Sequence, residues 1–252
     1  MSNALRIILI ITAMLVSFFI NAVEFNDTQK CNEIKDAPDL TIQYCTAAMQ
    51  SDELSDENLA DVIARRGYAY YQKSNYEQAI TDFNTAIQLN PKDARFYIVR
   101  GMAYEYAERN YNETVDNFSS AIRLQPKNAR YYNFRCWARV LKGDAELALF
   151  DCNQSLDIEP NNPNAYDSRG IAHFALGNYQ AALADYNKSI ELNSEAWSTH
   201  LNRARVHEIL GNTSQAEADK NIARKNAQGE EQYKTWLGSI EDAEKNNRHH
   251  RQ

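Results

Sequence analysis

The chain has 252 residues with only 8 glycines and 5 prolines, well below the usual combined share of about 12%, which argues against a turn-rich barrel or sandwich and against low-complexity chains. At 44% hydrophobic and 24% charged it can bury a real core. The net charge of −7 disfavours a nucleic-acid partner, because neutralising phosphates requires a basic face.

The first predicted element is an export signal. Arg6 precedes an apolar run from Ile7 to Ile20, and Ala22 supplies a small residue for cleavage. The run is shorter than the ~20 residues needed to cross a bilayer. Ile20 is a poor residue at its place before the cut, so an uncleaved membrane anchor is the rival reading. Cleavage would start the mature chain near Val23, in a periplasmic or secreted location. Cys31 follows Thr-Gln-Lys, unlike the small-residue context of a lipid-modified cysteine.

A half-repeat is expected over residues 23–59, where Thr41 to Met49 looks like a second helix with a shortened partner. Beyond it the chain repeats itself. Gly67, Gly101, Cys136, Gly170 and Ala204 recur every 34 or 35 residues, as do Pro91, Pro126 and Pro160. Each unit predicts two amphipathic helices, the first around Arg66-Gly67-Tyr68-Ala69-Tyr70 and the second around Ala79 to Ile87. The prolines stop the second helix.

Gly67, Tyr70, Ala79, Phe83 and Pro91 match the small, tyrosine, alanine, phenylalanine and proline positions of the tetratricopeptide repeat, which this pattern resembles. The resemblance covers about residues 60–228, in units at 60–93, 94–128, 129–162, 163–196 and a degenerate 197–228. It implies an all-α helical solenoid, a right-handed superhelix of antiparallel helix pairs. One extra residue falls near Arg109 to Asn112, Thr114 replaces the usual alanine, Ser194 replaces a proline, and Lys220 takes an aromatic position. Tyr233, Trp236, Leu237 and Ile240 follow a helical stripe that would cap the stack over 229–252, ending in a polar tail. Signal and cysteine-bearing half-repeat together resemble exported tetratricopeptide proteins of Gram-negative bacteria.

Cys45 aligns with Phe83, and Cys152 with Phe118 and Tyr186, while Cys136 replaces a first-helix glycine. Side chains of an antiparallel pair tilt so as to aim Cys136 at Cys152. Cys31 and Cys45 have nearly the same spacing, so two disulfides are expected, with four buried thiols as the alternative. Arg66, Arg100, Arg135, Arg169 and Arg203 precede every small position, and Asp82, Asp151, Asp185 and Asp219 recur on second helices, with Asn117 in the remaining unit. A structural Arg–Asp ladder explains both sets, and an arginine stripe gripping an acidic peptide is its rival.

No phosphate loop, nucleophile elbow or His-Glu-x-x-His helix occurs. His173 and His207 occupy the tyrosine position, and aromatic replacement accounts for them, with His200, better than a metal site does. The expectation is therefore no enzyme, no metal and no cofactor. The resemblance implies a concave groove lined by first helices. The groove residues are expected to be Tyr68, Tyr71, Ile98, Met102, Tyr106, Trp137, Val140, Leu141, Ile171 and Phe174. Extra aromatic and apolar side chains there point to a protein or peptide partner. Ala64 and Tyr68 stand where the two-carboxylate clamp of chaperone-binding family members would use lysine and asparagine, so a cytosolic chaperone client role is not supported. A non-catalytic envelope scaffold is the leading reading. The alternatives are an accessory subunit of an envelope enzyme, or a membrane-tethered module if the N-terminal segment is retained.

Overall fold

The computed structural model describes residues 27–50 and 54–226. The export segment, the stripe of Tyr233, Trp236, Leu237 and Ile240, and the polar tail lie outside the described residues. The chain divides into two compact units, Met1–Glu108 and Arg109–Gln252. Among the described residues there are helices and no strands.

The first unit contains α1 over 27–33, α2 Pro38–Ala48, α3 Asp56–Gln72, α4 Tyr76–Leu89 and α5 Ala94–Glu108. The second contains α6 Tyr111–Leu124, α7 Ala129–Lys142, α8 Ala145–Ile158, α9 Pro163–Ala175, α10 Tyr179–Leu192, α11 Trp197–Ile209 and α12 Thr213–Asn226. Several helix starts are set by side-chain caps. Ser55 accepts from the Asn58 N–H, Asn75 from Gln78 and Asn110 from Glu113. Helix α4 stops at Leu89, α6 at Leu124 and α8 at Ile158, each two residues before a proline that cannot continue it.

The turn after each first helix has one backbone solution. Ser74, Arg109, Gly143, Gly177 and Gly211 all adopt positive φ, between 50° and 98°. In four of these turns the next N–H returns to the carbonyl five residues earlier, as in Asn75 to Tyr70 and Asp144 to Arg139, closing the end of the helix. Three glycines take this conformation freely, whereas Ser74 and Arg109 hold it with a Cβ. The extra residue expected near Arg109 to Asn112 is taken up earlier. Helix α5 runs unbroken to Glu108, eight residues separate Gly101 from Arg109 where seven separate Gly67 from Ser74, and the turn itself is not enlarged.

Small residues set the spacing within each pair. A methyl group on Gly67 would lie 3.0 Å from the Asp82 Cβ and 3.2 Å from the Phe83 ring, and one on Gly170 would lie 2.5 Å from Tyr186. Phe83 and Tyr186 are buried. The first unit's core gathers Ile63, Phe83 and Phe96 with Ala60, Ala79 and Ala103, and beside it Cys31, Cys45, Ala48 and Val62 pack together. The second unit's core centres on Cys136, Val140, Cys152, Ile171, Tyr186 and Val206.

Candidate functional site

Before any exposed surface is considered, the recurring arginines have to be placed, because they line the same helices. Arg66 donates from Nε and Nη2 to the two Asp82 oxygens at 2.9 and 2.7 Å. The same forked pair joins Arg135 to Asp151, Arg169 to Asp185 and Arg203 to Asp219, all within 2.6–2.9 Å. The four carboxylates are buried. The remaining nitrogen, Nη1, reaches back to the preceding second helix. It bonds Thr46 from Arg66, Asn84 from Arg100, Ser119 from Arg135, Asn153 from Arg169 and Asn187 from Arg203. Four of the five guanidinia therefore join three helices, Arg100 joins α5 to α4, and these bonds commit them to structure. In the second repeat Asn117 donates its Nδ2 to the Glu113 carbonyl. Hydrogen bonds to Asp82 and Asp185 raise the pKa of Arg66 and Arg169. Burial opposes ionisation of Asp219, but Arg203 and His200 hold its pKa below the ordinary value.

The cysteines meet in two bonded pairs, Cys31–Cys45 with sulfurs 2.07 Å apart and Cys136–Cys152 at 2.04 Å. Cys136–Cys152 occupies the register of Gly67 against Phe83 and Gly170 against Tyr186, replacing a glycine–aromatic contact by a covalent one.

The first unit carries an open cleft of about 480 Å³. Asp61, Ala64, Arg65 and Tyr68 of α3, Arg95 and Phe96 of α5, and Lys35 and Asp36 ahead of α2 line it. Arg95 is held by Asp93 and Asp61, whereas Lys35 and Arg65 have no ion-pair partner among the described residues. Tyr68 continues the wall into a cluster of rings. It stacks on Tyr71 at 6.1 Å; Tyr71 meets Tyr76 and Tyr106 edge-on at 5.7 and 6.1 Å; Tyr76 stacks on Tyr106 at 5.7 Å. Tyr71 is half-buried, and Tyr68 and Tyr106 are exposed by 48% and 58%. Burial pushes the Tyr71 hydroxyl pKa far up, assisted by Tyr106, Tyr76 and Glu105, and burial with Glu105 raises that of Tyr106. Both hydroxyls stay protonated near neutral pH and can donate. Cleft and rings offer apolar area, hydroxyl donors and, with Asp61 engaged by Arg95, the cations of Lys35 and Arg65 against the single carboxylate of Asp36.

Comparison with known proteins completes the picture. Residues 67–106 match a family model described as a TPR repeat, and residues 163–195 match the tetratricopeptide repeat. Solved structures show the same fold. TTC0263, a thermophilic TPR protein of Thermus thermophilus, is 19% identical with a TM-score of 0.60, over 72% of this chain and 98% of its own. The chain is an all-α tetratricopeptide solenoid. YrrB, described as "a TPR protein with an unusual peptide-binding site", is 18% identical with a TM-score of 0.54, over 74% of this chain and 93% of its own. MamA of Desulfovibrio magneticus RS-1 is 14% identical with a TM-score of 0.58, over 66% and 94%. No curated protein matches the sequence.

The solenoid does not expose every residue expected to line its groove. In the first unit Ile98 is buried and Met102 half-buried. In the second, Val140, Leu141 and Ile171 belong to the core, and Trp137 and Phe174 are half-buried packed against it. Trp137 is therefore a packing residue and not a solvent-facing anchor. Helices α9 and α11 explain the difference, since Ile171 and Val206 fill the same cluster as Val140 and leave no open floor. Phe174 also carries Arg205 over its ring at 5.7 Å.

His173, His200 and His207 stand out in the sequence, whereas Asp167 does not. Asp167 on α9 accepts from Asn202 on α11 at 3.2 Å, and burial pushes its pKa up to about 6 despite bonds from Asn202 and Thr199. His200 bonds Asp219 through Nδ1 at 2.9 Å and the Ser194 carbonyl through Nε2 at 3.1 Å, which uses both ring nitrogens. Burial lowers the pKa of His173 and His207. Among the described residues no cluster of histidine, cysteine or carboxylate side chains has metal-holding geometry.

Proposed function

We propose that this solenoid is a non-catalytic interaction scaffold of the cell envelope that holds a peptide segment of another protein in the cleft of its first unit. Tyr68 carries the reading, because its exposed ring joins the cleft wall to the tyrosine cluster. Such rings lose little conformational entropy on binding and anchor interfaces well. Lys35 and Arg65 favour a segment with carboxylates beside an aromatic or aliphatic side chain. The peptide-binding site named for YrrB supports this assignment by likeness of fold. The envelope location rests on Arg6, the Ile7 to Ile20 run and Ala22, together with four cysteines arranged as two pairs.

A photoreactive residue at position 68, in protein made by its native host, will crosslink the bound segment, which peptide mass spectrometry then identifies. That segment, synthesised, is expected to bind Tyr68→Ala at least tenfold more weakly than the unmodified chain. Equal affinity overturns the cleft assignment. Mass measurement of the mature chain tests location, with an N-terminus near Val23 expected and an intact Met1 in the cytoplasm opposing it.

A further inference from the structure

Helix α8 departs from its repeat in three ways at once. It is bonded to α7 by Cys136–Cys152. It is gripped by a second guanidinium, because Arg139 stands where Tyr70, Tyr104, His173 and His207 stand in the other first helices. Arg139 pairs with Asp151 at 2.7 Å and donates to the Leu147 carbonyl at 3.1 Å. The third departure lies on the side away from the core. Leu147 and Phe150, one helical turn apart, are exposed by 54% and 59%.

The other repeats act as internal controls. At the position of Leu147, helices α4, α6, α10 and α12 carry Gln78, Glu113, Ala181 and Gln215. At the position of Phe150 they carry Thr81, Asp116, Ala184 and Ala218. None is a large apolar residue, so the solenoid does not need one there. The core contacts of α8 are already made by Ala148, Cys152 and Leu149. Two large apolar side chains left in water on a helix held by a disulfide and two guanidinia have the form of a binding anchor, since little ordering remains to be lost on docking.

Charge selects the occupant. Helix α8 contains no lysine or arginine, and Glu146 and Asp157 are exposed beside the apolar pair. The chain carries −7 overall, so a second copy or an anionic lipid surface would set like charges together. We infer that the outer face of α8 docks a basic amphipathic helix of another protein, its apolar stripe on Leu147 and Phe150 and its lysines or arginines toward Glu146 and Asp157. This surface is independent of the cleft in the first unit.

The probe is a synthetic helix of leucine and lysine with a 3.6-residue apolar stripe, and its control is the leucine–glutamate peptide of the same pattern. Fluorescence anisotropy at low salt should show binding of the lysine helix and at least tenfold weaker binding of the glutamate helix. The double variant Leu147→Gln, Phe150→Thr borrows the residues of α4 and should keep its melting temperature while losing tenfold or more in affinity for the lysine helix. Tyr68→Ala should leave that affinity unchanged, which separates this site from the cleft. Equal binding of both peptides, or undiminished binding by the folded double variant, overturns the proposal. So does a dimer in sedimentation that the double variant abolishes, because the face would then serve self-association.

Discussion

Five residues beyond the small position of a first helix, α5 of the first unit presents Tyr106 at 58% exposure, while α7 of the second buries Leu141 to 3%. Tyr68 and Ile171 form a second such contrast, each one residue past its glycine, exposed in one case and core in the other. Equivalent positions thus meet solvent in one unit and join the core in the next. Repeat register fixes the side of a helix on which a residue stands. Whether water reaches it depends on the size of its neighbours, such as Ile171 and Val206 packed around Val140.

The largest expected effect breaks this contrast directly. Leu141→Ala should cost about 2–5 kcal/mol, as deletions from a close-packed core do, with little change in affinity for a cleft ligand. Tyr106→Ala should cost under about 1 kcal/mol and act on binding. Chemical denaturation of both variants is the check, and equal losses would erase the distinction between the units. Next in size is the covalent hairpin. Reduction should lower stability by about 3 kcal/mol for each bond, through freedom returned to the unfolded chain. Cys136→Gly with Cys152→Tyr installs the pair used by Gly170 and Tyr186 and should recover part of the loss under reducing conditions.

A smaller effect has a defined pH signature. Asp167 has a folded pKa of about 6 against an ordinary 3.8, whereas the matching positions of the first unit hold the uncharged Ala64 and Ile98. Between those two pKa values the folded state holds a proton that the unfolded chain has released. The stability tied to this carboxyl therefore falls as pH rises from about 4 to 6 and is lowest above that window. Asp167→Asn should stabilise the second unit by about 2 kcal/mol at pH 7 and by little at pH 3. Melting curves of both proteins across this range measure it. The smallest effect concerns the turns. Gly143, Gly177 and Gly211 supply positive φ in three turns of the second unit, whereas Arg109 at its start and Ser74 in the first unit hold it with a Cβ. Ser74→Gly should gain about 0.5 kcal/mol, strain relief being partly offset by unfolded-chain entropy. A lowered melting temperature would show that the serine is not strained.

Much of this architecture was legible because it is periodic. Glycine, proline and cysteine spacings placed the helix pairs, and the coincidence of arginine and aspartate in four of the five hairpins, Arg66 with Asp82 the first, pointed to pairing inside them. Sequence did not reveal the third arm of each arginine, since Thr46, Asn84, Ser119, Asn153 and Asn187 share only the ability to accept a hydrogen bond. It also misassigned Ile98, Val140, Leu141 and Ile171, because an apolar residue on the inner side of a first helix looks the same whether it meets solvent or a neighbour. Leu147 and Phe150 drew no notice for a similar reason. Two more apolar residues in a helix whose core stripe was already complete add nothing to its periodicity.

The arginine that bonds sixteen residues forward and reaches one helix back also constrains how such a chain can change length. Copying one whole period into the array re-creates a donor for each acceptor and an acceptor for each donor. Removing fourteen residues, or adding twenty, would strand a guanidinium against an aspartate that is no longer there and leave a carboxylate buried without its counter-charge, a loss of several kcal/mol. The ladder thereby acts as a ruler. It favours growth or shortening in whole periods of about 34 residues, and the one unit that is a residue longer is the one with Asn117 in place of the aspartate. Chains of this design would therefore differ in their number of repeats more readily than in the length of a unit that keeps its Arg–Asp pair.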